Sequence, residues 1–339
     1  MNHSTVKSFT FGIGLFFTLP LVYGNSSSPS SSDGTLYINK SKTHKVAPVK
    51  YGFHYEEIGM MGEGALHAEL IRNRSFEEAT PPAGLSVKNG LYENVPAPRV
   101  KEKKVFQADP LIGWTTYPLS YTPVFISRTD ENPMSGENKY SMLVNVTEDI
   151  ANHSDALILN RGYYGMNLKT DTSYRLSLFL KNRNYSAPLR VFLVDEWGQR
   201  VSNVIEVNVG NRDWTKYSGE LKPEKNVRRG MFAIQPMSKG QFQIDVVSLF
   251  PSDTWNDGKS VFRKDIVQNL KEFSPSFIRF PGGCIVHGVN EETMYHWKKT
   301  LGPIENRPGQ WSKWAPYYRT DGIGYHEFYE LCEYVGADA

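Results

Sequence analysis

The sequence predicts an α/β fold: β/α units around a parallel sheet, interrupted by an inserted antiparallel β-sandwich. Three observations predict it. Residues 85–252 carry apolar side chains at every second position, the period of half-buried antiparallel strands. From residue 257 the period lengthens to that of an amphipathic helix. A short apolar run, "SFIRFPGG", then follows, too brief and too glycine-bounded for a helix and therefore a buried strand.

The start, "MNHSTVK" then "FGIGLFFTLPLVYG", has a polar lead, one lysine and an apolar run, with small residues near Val22-Tyr23-Gly24. That pattern predicts a signal peptide over 1–24, and hence a secreted or periplasmic protein. The apolar run is short for a span of about 20 residues, so no stable membrane span is expected after cleavage. The Ser-rich stretch "NSSSPSSSDG" opens a linker and lead-in over 25–44.

Residues 45–84 hold a strand candidate, "VKYGFHYEEIG", and then "EGALHAELIRNRSFEE", where Leu66, Leu70 and Ile71 suggest a short helix. Within 85–252, "YRLSLFLK", "LRVFLVDEWG" and "QFQIDVVSLF" alternate apolar and polar residues and are separated by turn-forming residues, which predicts the sandwich. Over 253–339, Phe262, Ile266, Leu270 and Phe273 form one helical stripe, and Phe328, Leu331, Cys332 and Val335 form another that ends at Gly336, a helix C-cap residue.

Composition narrows the function. The 339 residues carry 38 basic and 36 acidic side chains, well mixed, so nucleic acid is not an expected partner. Seven Trp, 19 Tyr and 18 Phe exceed what an ordinary core requires and suit flat neutral ligands such as sugars. Trp114, Tyr163, Tyr164, Trp197 and Trp214 are the candidate stacking residues, each equally suited to a core. Two cysteines, Cys284 and Cys332, exclude a disulfide framework, and their apolar settings suit free thiols. His54, His67, His287, His296 and His326, five of the eight histidines, show no metal-ligand spacing, so neither a metal nor another cofactor is implied.

The motif "FIRFPGGCIVHG" ends a buried strand in an arginine and two glycines. In β/α barrels the C-terminal strand ends carry the active site. Glycines let the backbone approach a ligand closely, and Arg279 is placed to orient a carboxylate or donate to a hydroxyl. A purely structural arginine fits the motif equally well.

Together with "YGFHYEEIGMMGEGALHAELIRNRSFEE", "WKKTLGPIENRPGQW" and "TDGIGYHEFYELCEYVGADA", this motif resembles the α-L-arabinofuranosidases of glycoside hydrolase family 51, over about 45–80 and 253–339. The resemblance implies a (β/α)8 TIM barrel, here its first two strands and helices, with a carbohydrate-binding-like jelly-roll sandwich inserted. It implies retaining hydrolysis of terminal non-reducing arabinofuranosides in arabinan or arabinoxylan, and plant polysaccharides containing arabinose as partners. A full-length form is expected as a homo-oligomer. The alternative is a non-catalytic, exported polysaccharide-binding protein acting through the sandwich.

Carried over by position, Glu56 matches the glutamate that binds arabinose hydroxyls. Its neighbour Glu57 departs from the usual Asp or His. Arg279 matches the arginine supporting the catalytic carboxylates, and Cys284 a position lining the sugar pocket. Neither catalytic glutamate has a match. Asn290-Glu291 is the one Asn-Glu pair of the expected kind, but it follows no strand of its own. A barrel of about 250 residues is only half accommodated, so the sequence is expected to be the N-terminal part of a longer enzyme and inactive alone.

Overall fold

The computed structural model describes residues 41, 51–78, 86–89, 91–93, 106–107, 109–119, 121–150, 155–288, 291, 293–312 and 317–339. The signal-peptide reading lies outside these residues, as does the linker apart from Ser41.

The chain enters through a short strand, β1 (Gly52–His54), and a small antiparallel sheet of β2 (Ser86–Lys88), β3 (Leu91–Glu93) and β4 (Phe106–Gln107). Eleven strands follow: β5 (Trp114–Tyr117), β6 (Val124–Thr129), β7 (Ser141–Val146), β8 (Leu157–Asn160), β9 (Met166–Leu168), β10 (Tyr174–Asn182), β11 (Pro188–Val194), β12 (Ile205–Asn208), β13 (Thr215–Leu221), β14 (Val227–Gln235) and β15 (Gly240–Pro251). They build two antiparallel sheets, ordered β13-β10-β15-β7-β6 and β12-β11-β14-β8-β5, with β9 also paired to β14.

The alternation read from the sequence explains these sheets. Leu176, Leu178 and Leu180 of one sheet share a buried core with Leu189, Val191, Leu193, Phe232 and Ile234 of the other. Each strand turns one set of alternate residues inward, so two half-apolar sheets bury one another.

The last third holds α1 (Lys264–Phe273), β16 (Phe277–Arg279), α2 (Gly283–His287), the hairpin β17 (Gln310–Trp311) and β18 (Tyr318–Arg319), and α3 (Tyr325–Val335). β1 and β16 pair in parallel, with Gly52, Phe53 and His54 opposite Phe277, Ile278 and Arg279. On the free edge of β16, Asp338 forms a further parallel bridge to Phe277; the Ile278 N–H donates to the Asp338 carbonyl at 2.8 Å. Ile278, Val267 of α1, and Phe328, Leu331, Cys332 and Val335 of α3 form a second core beneath this pair. Both cysteines are free.

Two expectations fail here. The helix expected after β1 is a single turn, Gly62–Leu66, and Glu63 and Gly64 within it are not helical. Beyond it the chain lies along the large sheets. The Leu70 N–H donates to the Leu249 carbonyl at 3.1 Å, and the Val247 N–H to that of Arg74 at 2.9 Å. Glu69 fixes this course, accepting from the N–H groups of Leu249 (2.8 Å) and Ile71 (3.0 Å) and from Ser248 Oγ (2.6 Å). Leu66 joins the second core and Ile71 the first, so their spacing reflects two burial partners rather than one helical face. Of the stripe expected on α1, Phe262, Ile266 and Leu270 do pack in or against the second core, but Phe273 is exposed and Val267 is fully buried in its stead.

Candidate functional site

The parallel register brings the ends of β1 and β16 together. His54 and Arg279 are direct register partners, and Glu56 follows His54 by two residues. The Tyr55 N–H donates to the Arg279 carbonyl at 2.8 Å, extending the pairing toward Glu56. His54 stands between the two predicted residues: its Nε2 is 3.3 Å from Arg279 Nη1 and 3.5 Å from Glu56 Oε2. An unprotonated Nε2 accepts from the guanidinium; a protonated one pairs with the carboxylate. Sequence reasoning missed His54, although period 2 from Glu56 places it on the same face of the strand.

The two glycines beyond Arg279 make room for these side chains. A Cβ on Gly282 would sit 2.2 Å from Glu56 Cδ, and one on Gly283 3.3 Å from Arg279 Nη2. Gly282 also has φ +104°, where other residues are strained. Glu56 is buried, at 8% exposure, while Arg279 is exposed. Cys284 is half-buried on α2, the turn that opens at Gly283.

Behind Glu56 lies a buried polar layer. Glu57 Oε1 accepts from the Tyr317 hydroxyl (2.8 Å), and its Oε2 from the Gly62 N–H (2.7 Å) and the Tyr55 hydroxyl (3.2 Å). Burial, and then the nearby Glu63 carboxylate, push Glu57 up to about 7, against the bonds from Tyr317 and Gly62. Glu63 accepts from the Thr320 N–H (3.0 Å) and hydroxyl (2.6 Å) with one oxygen, and from the Tyr163 hydroxyl (3.1 Å) with the other. Glu57, read from the sequence only as an unusual neighbour, thus anchors the loop after β1.

The conspicuous "IENRPGQW" stretch does structural work. Arg307 makes a bidentate pair with Glu327 (2.7 and 3.0 Å) and donates to the carbonyls of Gly302 and Asp321. Burial raises the Glu327 carboxyl, but the Arg307 bonds outweigh it and hold the group below its usual range. Asn290 lies outside the described residues. Glu291 is exposed, and its carbonyl faces His296 Nε2 at 2.8 Å.

Of the five candidate stacking residues, Trp114 is core, Trp214 donates its indole N–H to the Asn132 carbonyl, and Tyr163 is held by Glu63. Tyr164 (81%) and Trp197 (66%) stay exposed.

Comparison with known proteins finds the following likenesses. The α-L-arabinofuranosidase 1 domain model matches residues 269–339. The chain is 28% identical over 292 residues to α-L-arabinofuranosidase 1 of Arabidopsis thaliana, covering 85% of this chain and 39% of that protein. It is 27% identical over 300 residues to an extracellular exo-α-L-arabinofuranosidase of Streptomyces chartreusis, covering 85% of this chain and 31% of that one. The arabinose-bound structure of the α-L-arabinofuranosidase MgGH51 superimposes with a TM-score of 0.71 at 25% identity, covering 88% of this chain and 44% of that one. The chain thus spans less than half the length of these relatives. Each of these relatives is named as a glycoside hydrolase of one kind, an α-L-arabinofuranosidase. The proteins the chain resembles are α-L-arabinofuranosidases, and the solved one is of family 51.

Proposed function

We propose that this chain is the sugar-holding part of an exported α-L-arabinofuranosidase that acts on terminal arabinofuranosyl units of plant polysaccharides such as arabinan and arabinoxylan. One observation carries the reading: parallel pairing gathers Glu56, His54 and Arg279 at the C-terminal ends of two adjacent strands. Barrel enzymes bind substrate at that end. In this reading β1, β16 and the bridge at Asp338 open a β/α barrel, and the two large antiparallel sheets are a jelly-roll sandwich inserted within it. Glu56 holds sugar hydroxyls, Arg279 orients the neighbouring carboxylates, and Cys284 lines the pocket. The relatives are named as enzymes, which disfavours a purely binding role.

Retaining hydrolysis needs an acid/base and a nucleophile about 5–5.5 Å apart. Glu57 and Glu63 are engaged by backbone and hydroxyl donors. The reading therefore assigns neither reacting role to a described carboxylate and gives these residues the holding of the sugar. The test incubates the 339-residue chain with 4-nitrophenyl α-L-arabinofuranoside. Binding without turnover is expected; turnover abolished by Glu291→Gln would return the chemistry to the loop at Glu291.

A further inference from the structure

Away from Glu56 and Arg279, a cleft of about 650 Å³ opens between residues 64–70 and 263–268 on one side and 163–174 and 251–254 on the other. That volume falls within the range of roughly 300–1,000 Å³ typical of small-molecule sites. Tyr163, which lines the cleft, donates to Glu63 of the polar layer behind Glu56. We propose that this cleft is a second, non-catalytic glycan site that takes a neutral chain of pyranose rings.

Two features point to that ligand. Tyr164, 81% exposed, offers one flat apolar face at the mouth, suited to the C–H face of a pyranose. The walls mix donors with acceptors, Lys169, Lys264 and Gln268 beside Asp253. A hydroxyl-rich neutral ligand needs both kinds, whereas an anion would be met by one sign. The site would hold the backbone of a polymer while the catalytic face works on its branches. Only this last assignment rests on the arabinofuranosidase reading.

The test uses the full chain and β-1,4-linked xylose oligosaccharides free of arabinose, with binding measured by calorimetry. The wild type should bind them. Tyr164→Ala should weaken binding by about tenfold, the worth of one stacked ring. Tyr164→Phe should restore it, and Gln268→Ala should lower it severalfold. Trp197→Ala, outside the cleft, should leave it unchanged. None of these variants should alter binding of an aryl arabinofuranoside. Absence of xylo-oligosaccharide binding, or binding that survives Tyr164→Ala, overturns the proposal. Selective binding of polygalacturonate that is lost in high salt overturns the neutral-glycan assignment. Loss of arabinofuranoside binding alone would count against the catalytic reading and leave the cleft standing.

Discussion

The Glu63 carboxylate accepts a hydrogen bond from the Tyr163 hydroxyl at 3.1 Å, joining the loop after β1 to the large antiparallel sheets. Its other oxygen takes two bonds from Thr320, so one buried side chain ties three segments together. Replacing it leaves several donors unpaired in a buried site. Glu63→Ala should cost about 2–4 kcal/mol, and Tyr163→Phe, which removes a single bond, about 1 kcal/mol. Urea denaturation of the two variants checks the ratio.

Glu57 gives a pH signature. A carboxyl raised to about 7 in the folded state binds its proton more tightly folded than unfolded. Its contribution to stability is therefore fullest below its unfolded value of 4.5 and is lost as pH rises through about 7. Glu78 is raised to a similar value by burial and adds the same trend, so the difference between variants isolates Glu57. The melting temperature of the wild type should fall more steeply between pH 5 and 8 than that of Glu57→Gln.

Arg307 and Glu327 form a buried bidentate pair, with side-chain exposures of 6% and 10%. Removing one partner strands a charge in the interior. Arg307→Ala should destabilise the protein by about 3–5 kcal/mol, and circular dichroism melts would show it. A mild effect would mean that the "ENRP" stretch is held by other contacts.

Gly282→Ala tests whether the glycine pair exists to admit Glu56. The added methyl would meet the Glu56 carboxylate at 2.2 Å, on a backbone with φ +104°. Arabinofuranoside affinity should fall more than tenfold, the step that corresponds to about 1.4 kcal/mol. Gly302→Ala, where a Cβ meets nothing within 4 Å, should leave affinity unchanged although φ there is also positive.

Period 2 made the antiparallel sheets legible in the sequence, because each strand buries one face. Helix α3 was legible too: all four residues of its stripe are buried and Gly336 caps it at φ +75°. Residues 66–71 misled because apolar spacing does not say which neighbour buries each side chain. Leu66 and Ile71 enter different cores, and Glu69, a residue with no apolar signal, sets the path between them. At the site, Arg279 was legible from the glycine-bounded strand end, whereas Glu56 was reached through the family resemblance. The role of His54 needed the register with β16, a pairing across more than 200 residues that local periodicity does not contain. Glu57 looked like a substitution; its three donors became visible only once the loop to Gly62 and the hairpin bearing Tyr317 were in place.

The central claim is that Glu56 and Arg279 hold the arabinofuranosyl group where β1 and β16 end. It is tested most directly by calorimetric titration of 4-nitrophenyl α-L-arabinofuranoside into the wild type, Glu56→Gln and Arg279→Ala, with melting curves to confirm folding. The wild type should bind, and both variants should bind at least tenfold more weakly at unchanged fold, since each loses a charge-assisted hydrogen bond worth about 1.5–3 kcal/mol. Equal affinity in all three folded proteins would contradict it.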